Sequence, residues 1–199
     1  MSSEIKADLI KDKSGTKTLA TLSSSAVTLD SLVIFPAGGT GNAISVAIIC
    51  DEKALDVDGG TSTGNGYQDR DLNTVIKDDD SIVSVDSGNK QFTIGAGTYL
   101  IEFSAPGLSV DRHHARLWDQ TAGAYVSNGI GSSELSAFGD STQTRSFGAV
   151  IVTLTSNNIY RIKHFTATAK TTIGLGVAPE NTGASVVSIY TIVKITKLK

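Results

Sequence analysis

Histidine has the broadest chemistry of the side chains in this sequence, and two of the three histidines, His113 and His114, are adjacent. Successive residues of a β-strand point to opposite faces, so a strand here could not aim both imidazoles at one metal ion. A metal site would need His164 together with one of them, and no further ligand stands at a suitable spacing. We therefore predict structural or surface histidines and no metal.

Two acidic stretches carry the oxygen ligands that a hard cation prefers. Asp56 begins the run Asp-Val-Asp-Gly-Gly, which resembles the start of a calcium-binding loop. The fifth position of that loop is Gly60 and the twelfth is Tyr67, where oxygen ligands are required. The second stretch, Asp78–Asp80, is typical of a strand that ends in solvent. We expect a solvated glycine-rich loop at the first stretch and no cofactor.

Catalysis by paired carboxylates would require two acidic side chains that face each other across a groove. No local pattern pairs any two of them, and no Gly-x-Ser-x-Gly nucleophile motif is present. Cys50 lies in an apolar strand pattern, as expected for an inert buried thiol. We therefore predict that the protein is not an enzyme. The carboxylates concerned are Glu102, Asp111, Asp119, Glu134 and Asp140.

Several basic residues lie within predicted strands, where burial would require hydrogen-bond or charge partners. We expect them to form a structural polar network with acidic partners such as Glu102, Asp111 and Asp140. A second interpretation is that the histidines sense pH. The network residues are Arg112, His114, Arg116, Arg145 and His164.

Two long polar segments, Asp56–Arg70 and Ser132–Thr144, interrupt the strand pattern and could bind a ligand. They offer an aromatic ring for stacking on a sugar, amides for hydroxyl groups, and charges for acidic or basic substituents. The alternative is that both loops fill the rim of the domain or contact neighbouring subunits. The candidate ligand-binding residues are Asn65, Tyr67, Gln68, Asp69, Arg70 and Gln143.

Composition excludes several classes of protein. A net charge of −3 in 199 residues argues against a dedicated nucleic-acid binder. One cysteine rules out an internal disulfide framework. The longest apolar runs are far too short to span a membrane, so we expect no membrane insertion. The N-terminus lacks the apolar region of a secretory signal, which predicts a chain that is made in the cytosol and is not exported by the Sec route.

The residue pattern predicts an all-β protein. Glycine accounts for 20 residues, and the chain is rich in Val, Ile and Thr, which fit a pleated surface. Short alternating runs place Tyr99, Ile101 and Phe103 on one face, and Tyr160, Ile162 and His164 on another. Turn clusters separate these runs. We expect an antiparallel two-sheet jelly-roll sandwich of roughly eight to ten strands.

The chain divides into two regions by composition. Residues 1–42 contain short β-prone pieces at Ile5–Ile10, Thr18–Leu22 and Ala26–Leu29, followed by a glycine-rich joint. We expect this segment to attach the protein to other structures. Residues 43–199 have a steady density of strands and form the predicted jelly-roll domain.

The last strand predicts a homotrimer. Between Ser188 and Leu198, apolar residues alternate on both faces, so the strand needs a cover on both sides. One sandwich core supplies one cover, and a subunit interface in a closed ring supplies the other. The residues expected at this trimer interface are Tyr190, Ile192 and Leu198.

The run FTIGAGTYLIEFSAP at residues 92–106, followed by RHHARLW at 112–118, resembles a domain common in bacteriophage tail-fibre and virion-fibre proteins. The resemblance covers residues 43–199. The Gly97-x-Tyr99 strand entry and the aromatic C-terminal strand also resemble the jelly roll of tumour-necrosis-factor and complement type. Further matching pieces are RDLNT at 70–74, QTRS at 143–146, YRIKH at 160–164, GLGV at 174–177 and IYTIVKI at 189–195.

This resemblance implies two stacked antiparallel sheets, assembly as a trimer and no catalytic role. The expected function is a fibre or tip module of a virion that attaches to the host surface, where a bacterial surface glycan is a candidate ligand. The alternative is a capsid decoration or head-fibre protein held by residues 1–42, because the chain is short and lacks a fibre shaft. In both cases the protein would be made in the host bacterial cytoplasm, would contact other virion proteins through residues 1–42, and would bind no nucleic acid.

Overall fold

The computed structural model describes residues 9–11, 18–22, 27–29, 44–129, 132–133, 142–179 and 187–198. By its internal contacts the chain divides into two units, Met1–Ala43 and Ile44–Lys199. No α-helix occurs in the described residues, and so no helix among them is long and apolar enough to cross a membrane.

The first unit contains a small antiparallel sheet in which each strand pairs with the next along the chain. Thr18–Leu22 forms a strand with the bounds expected from the sequence. The two flanking strands overlap the other two predicted pieces, of which residues 5–8 and 26 lie outside the described residues. The strands are β1 (Leu9–Lys11), β2 (Thr18–Leu22) and β3 (Val27–Leu29).

The second unit contains two antiparallel sheets, one of five strands and one of seven, with a short two-stranded ribbon. Its strands are β4 (Ser45–Lys53), β5 (Ser62–Thr63), β6 (Gly66–Asp69), β7 (Thr74–Asp78), β8 (Val83–Asp86), β9 (Gln91–Ile94), β10 (Gly97–Leu108), β11 (Arg112–Asp119), β12 (Ala124–Asn128), β13 (Ser132–Ser133), β14 (Gln143–Leu154), β15 (Asn158–Thr166), β16 (Ala169–Lys170) and β17 (Ser188–Lys197).

The five-stranded sheet has the order β14-β10-β17-β4-β7. The seven-stranded sheet runs β12-β11-β15-β9-β8, with β13 paired to β11 and β6 paired to β15. The ribbon pairs β16 with β5. Ten strands therefore form the two continuous sheet paths, and the predicted jelly-roll sandwich is confirmed.

The core lies between the two sheets and draws alternate residues from both. Ile49, Ile101 and Val193 enter it from the five-stranded sheet, and Leu117 and Ile162 enter it from the seven-stranded sheet. The alternation predicted for Tyr99, Ile101 and Phe103 and for Tyr160, Ile162 and His164 is confirmed, because all six side chains are buried. Burial of this apolar surface is the main stabilising contribution to the fold.

Strand β17 departs from simple alternation at a β-bulge. Its register with β4 shifts between Ile189 and Ile192, so Tyr190 and Thr191 are both buried. A bulge adds one residue to a strand and reverses the facing of the side chains on one side of it. The prediction that Tyr190 belongs to a subunit interface is therefore wrong: its side chain is 2% exposed and its hydroxyl donates to the Val57 carbonyl oxygen at 2.7 Å.

Strands occur within the two segments that were predicted to be loops. Asp56–Arg70 contains β5 and β6, and β6 joins the edge of β15. Backbone reversals with positive φ at Asp56 and Asn65 permit the tight turns. In the second segment β13 pairs with β11, and residues 134–141 lie outside the described residues.

Candidate functional site

The outward side of the seven-stranded sheet carries a cluster of five aromatic rings. Tyr67 is at the centre, with its ring centroid 5.5 Å from His114, 5.4 Å from Tyr125 and 5.6 Å from Phe165. Trp118 extends the cluster, with its centroid 4.8 Å from that of Tyr125. Such edge-on and tilted ring pairs stabilise a surface beyond the area that they bury.

Strand register explains why these rings meet. Tyr67 of β6 lies opposite Phe165 of β15, and Phe165 lies opposite His114 of β11. Side chains at paired positions in adjacent strands lie on the same side of a sheet. The three rings therefore form one row across the sheet, and the Tyr67 hydroxyl lies 2.6 Å from His114 Nε2.

Basic side chains surround the rings. The Arg116 guanidinium lies 3.9 Å from the Tyr125 ring centroid, and Lys163 Nζ lies 5.1 Å from that of Trp118. Arg116 and Lys163 are direct cross-strand partners, which places two like charges side by side. We call the set Tyr67, His114, Arg116, Trp118, Tyr125, Lys163 and Phe165 the aromatic–cationic face.

One carboxylate borders this face. Asp69 accepts from Arg161 at 2.7 Å and lies 3.3 Å from Lys163 Nζ. It therefore neutralises part of the charge of these two residues. Arg116 has no carboxylate within ion-pair distance among the described residues, and its Nε is buried without a hydrogen-bond partner there. Burial and the Arg116 charge lower the pKa of His114, so this ring is neutral at pH 7.

A second group of polar residues lies inside the sandwich. Arg70 is completely buried and donates from Nε to Thr191 Oγ1 at 2.7 Å and from Nη2 to the Leu175 carbonyl oxygen at 2.8 Å. Its nearest carboxylate is Asp51, with Nη2 and Oδ2 4.0 Å apart. Burial lowers the pKa of Arg70 to about 10, and the neighbouring Asp51 opposes this shift, so the guanidinium stays charged.

A histidine pair lies in the same interior. His113 Nδ1 is 2.8 Å from His164 Nε2, and His113 Nε2 is 2.8 Å from Thr144 Oγ1. Burial first, and then the charge of Arg70, lower the pKa of His113 to about 4 and that of His164 well below its ordinary value. Both imidazoles are therefore neutral at pH 7. No group of His, Cys, Asp and Glu among the described residues could hold a metal ion.

The candidate ligand-binding residues are not all on one surface. Tyr67 and Asp69 lie on the outward side of the seven-stranded sheet, whereas Arg70 points inward and is 0% exposed. The prediction that Arg70 contacts an external ligand is therefore wrong. Gln68 is engaged with the turn that precedes it, because its Oε1 accepts from the Thr63 amide and its Nε2 donates to the Thr61 carbonyl oxygen.

Of the six predicted ligand-binding residues, only Tyr67 belongs to the aromatic–cationic face. Asn65 is exposed in the turn between β5 and β6, with φ of 51°. Gln143 begins β14, accepts from the Val177 amide at 2.8 Å and lines an open depression with Pro179 and Ile189. Their joint binding of one ligand with Tyr67 stays a prediction.

The predicted polar network divides into separate parts. Arg112, His114 and Arg116 point outward from β11, and His164 points inward to His113. Arg145 donates to Ser104 Oγ and to the carbonyl oxygen of Tyr190. The five residues of the predicted polar network therefore do not form one network. Period-two alternation along β11 already separates His113 from His114, and it could have identified the buried His113.

The carboxylates of the acidic stretch Asp78–Asp80, at the end of β7, accept hydrogen bonds from other groups of this protein. Asp78 accepts from the Ile82 amide, Asp79 from the Val46 amide, and Asp80 from Ser45 Oγ. Asp79 also forms an ion pair with Lys77 at 2.6 Å. The Asp78 bond closes the turn after β7, and the bonds of Asp79 and Asp80 join that turn to the start of β4, so the three carboxylates have structural roles.

The remaining reactive groups lie apart from one another. Glu102 lies on the outward side of the five-stranded sheet beside Lys194, and Asp119 points inward at the end of β11, where it accepts from Asn158. Asp111 lies in the turn before β11, and Glu134 and Asp140 are outside the described residues. Cys50 is buried, and burial raises the pKa of its thiol to about 11, so it is not a nucleophile at pH 7.

Comparison with known proteins gives the fold. No protein-family model and no curated protein matches the chain. Among solved structures, murine APRIL at pH 8.0 matches with a TM-score of 0.51 and 12% identity, over 78% of this chain and 99% of that one. The Eiger TNF of S. frugiperda matches with a TM-score of 0.49 at 13% identity, over 78% and 93% of the two chains. The globular domain of zebrafish complement 1qA matches with a TM-score of 0.45 at 13% identity, over 78% and 96%. On the likeness to murine APRIL, the described part of the second unit has a two-sheet jelly-roll fold.

Proposed function

We propose that the protein is a non-enzymatic homotrimeric attachment module of a virion fibre or tip. The observation that carries this proposal is the apolar outward side of the five-stranded sheet. Ile151 is 63% exposed there and Phe147 is 50% exposed, both on the edge strand β14. Contiguous exposed apolar surface of this kind is typical of a protein interface.

The apolar side chains continue across the sheet. Leu100 of β10 lies opposite Ile151, and Ile192 of β17 lies opposite Ser104, which itself lies opposite Phe147. Leu198, the third residue predicted at the interface, is 43% exposed just after β17, and it donates its amide to the Thr98 carbonyl oxygen. Ile192 and Leu198 thus stay predicted interface residues.

A second copy of this chain is the occupant that we assign to this surface. Contact between this patch and a different patch on the next subunit forms a closed ring when the rotation between subunits closes. A ring of three agrees with the trimer that the sequence resemblance implies. An ion pair between Lys194 and Glu102, 3.1 Å apart, lies within the apolar surface and would be covered in the assembly.

Attachment is assigned to the opposite side of the sandwich. If the five-stranded sheet packs against other subunits, the aromatic–cationic face on the seven-stranded sheet stays available to a ligand in each subunit. Three copies of a weak site raise the overall affinity for a repetitive surface. The virion location rests on the sequence resemblance to phage fibre domains.

A non-enzymatic role is supported by the placement of the acidic residues. Glu102 and Asp119 belong to different sheets and different surfaces, so they cannot act on one bond. Both also accept hydrogen bonds from other side chains of this protein. In this proposal the fold supplies a rigid support for binding.

Capsid decoration is the second candidate function. The separate unit at the N-terminus, which contains the sheet β1-β2-β3, supports it because residues 1–42 could fix the protein to other virion proteins. The number of copies in each particle separates the two functions. Quantitative mass spectrometry of purified particles should find a few trimers for a fibre or tip, and hundreds of copies would instead support the capsid.

The trimer itself is tested by light scattering. We expect a mass about three times the 20.7 kDa of one chain at micromolar concentration. Ile151→Lys places a charge in the apolar surface and should produce monomers. Leu55→Lys makes the same type of change at a side chain that is 38% exposed in a loop, and should leave the trimer intact. A wild-type monomer would overturn the proposal.

A further inference from the structure

We propose that the aromatic–cationic face binds an acidic saccharide, with Arg116 and Lys163 holding its anionic group and Tyr67 and Trp118 packing against its ring. This inference rests on the proposed attachment function and names the ligand class. It differs from the loop site expected from the sequence, because most of the residues involved project from a sheet.

Cations outnumber carboxylates around the aromatic–cationic face. The outward residues of β6, β11 and β15 include four cations, namely Arg112, Arg116, Arg161 and Lys163, and one carboxylate, Asp69. The whole chain, in contrast, has a net charge of −3. Positive charge thus exceeds negative charge among the outward residues of these three strands, and it would attract an anion to them.

Two of these cations, Arg116 and Lys163, form a like-charged pair across adjacent strands. Arg116 and Lys163 are opposite each other in adjacent strands, and like charges at such positions destabilise a sheet. Asp69 lies near Lys163 but forms no ion pair with Arg116. A carboxylate, sulfate or phosphate group between the two cations would remove the repulsion and accept hydrogen bonds from the Arg116 guanidinium, whose Nη1 lies 3.4 Å from the Tyr67 hydroxyl.

The rings favour a sugar over a nucleobase. Tyr67 and Tyr125 are inclined at 43°, and Trp118 and Tyr125 at 75°, so their faces do not form a succession of parallel surfaces. Single-stranded nucleic acids bind by stacking successive bases on aromatic faces along a positive groove. A sugar needs only one partly exposed ring against its apolar side, and Tyr67 is 38% exposed.

Titration calorimetry of the full chain tests the proposal with three probes of similar length. Hexagalacturonate supplies carboxylates on sugar rings, maltohexaose supplies neutral sugar rings, and a six-residue oligothymidylate supplies phosphates and bases. We expect hexagalacturonate to bind about tenfold more tightly than maltohexaose, and its affinity to fall as the salt concentration rises.

Substitutions locate the site. Arg116→Gln with Lys163→Gln should weaken hexagalacturonate binding at least about tenfold, because charge-assisted hydrogen bonds are lost. Tyr67→Leu should weaken binding of both saccharides by a similar factor. The control, Lys77→Gln with Lys90→Gln, removes the same charge from side chains that are 51% and 47% exposed elsewhere, and should bind as wild type. Thermal unfolding of every variant verifies that it is folded.

Three results would overturn the inference. These are equal affinity for the acidic and neutral saccharides, equal losses in the double variant and its control, or tighter binding of the oligothymidylate. Absence of binding to hexagalacturonate at about 5 mM would also overturn it. Light scattering of the same samples separates these results from failure of the proposed function, which would appear as a monomer.

Discussion

His113 Nδ1 and His164 Nε2 face each other at 2.8 Å in the interior of the sandwich. One of these nitrogens must donate and the other must accept, so the contact holds a single proton. Protonation of both rings would place two donors against each other, beside the buried charge of Arg70. The interior therefore favours two neutral histidines.

This contact predicts loss of stability in mild acid. The folded-state pKa of His113 is about 4 and its ordinary value is 6.5, so the unfolded chain binds the proton more readily. The stabilisation is complete above pH 6.5 and is lost as the pH falls toward 4. His113 alone should reduce the free energy of unfolding by about 2 kcal/mol between pH 7 and pH 5.

Urea unfolding at several pH values between 7 and 5 measures this loss. His164 changes stability in the same direction, because its pKa is also lowered. His113→Gln should reduce the pH dependence, whereas His114→Gln, on the outward side, should retain most of it. A free energy of unfolding that does not change across this range would contradict the neutral pair.

Arg70 should be among the most sensitive positions in the protein. Arg70→Met keeps much of the side-chain volume but leaves Asp51, which is 1% exposed, without its guanidinium neighbour. It also leaves Thr191 and two carbonyl oxygens without a donor. We expect the free energy of unfolding to fall by about 3 kcal/mol or more in chemical denaturation.

The matched control for this change is Arg112→Met. The Arg112 side chain is 78% exposed, and its contact with Asp111 is 3.7 Å long. Its loss should change the free energy of unfolding by less than about 0.5 kcal/mol. Equal effects at the two positions would show that Arg70 contributes little from its buried position.

Tyr190→Phe distinguishes a core residue from an interface residue. The substitution removes the hydroxyl that donates to Val57 and should reduce the free energy of unfolding by about 1 kcal/mol. Because Tyr190 is buried within its own subunit, light scattering should give an unchanged trimer mass. Dissociation into monomers would place Tyr190 at the interface, as the simple alternation of β17 suggested.

The Phe103 ring leaves no room for a side chain at Gly148. The two residues are paired between β10 and β14, and a Cβ at position 148 would lie 2.1 Å from the Phe103 ring. Phe103 is 4% exposed and has little room to move. Gly148→Ala should therefore reduce the free energy of unfolding by about 1–3 kcal/mol, measured by urea titration.

Two further variants test the cause of this loss. Gly66→Ala is the control, because the only atom within 4 Å of a Cβ there is 3.8 Å away. Combining Gly148→Ala with Phe103→Leu should cost less than the sum of the two single changes, since the smaller side chain removes the clash. Additive losses would mean that the Phe103 ring is not the obstacle.

Alternation of apolar and polar residues along the sequence predicted the two-sheet sandwich and much of its core. It placed Ile101 and Ile162 correctly because both lie in long strands without irregularities. It failed at Tyr190, since a bulge depends on pairing with β4, which is distant in sequence.

The candidate site was less accessible to sequence analysis. Tyr67 was identified as a candidate, but the neighbouring rings of Tyr125 and Phe165 were not, nor was Trp118 beside Tyr125, because only strand pairing brings them together. Arg70 directly follows a short strand, and nothing in its neighbourhood in the sequence indicates complete burial. Long-range pairing therefore decides which of the polar residues reach a ligand.

One edge of β15 is divided between two strands: β9 pairs with Asn158–Tyr160 and β6 pairs with Lys163–Thr166. The two halves of this edge can therefore detach independently. Both strands have four residues, but β9 also pairs with β8, whereas β6 pairs only with β15 in the described part of the chain. Amide protons of Gln68 and His164, which face each other across this pairing, should consequently exchange with solvent deuterium sooner than those of Phe92 and Tyr160. Evolution could likewise replace the segment around β6, and with it the central ring of the aromatic–cationic face, while the rest of the sandwich is retained.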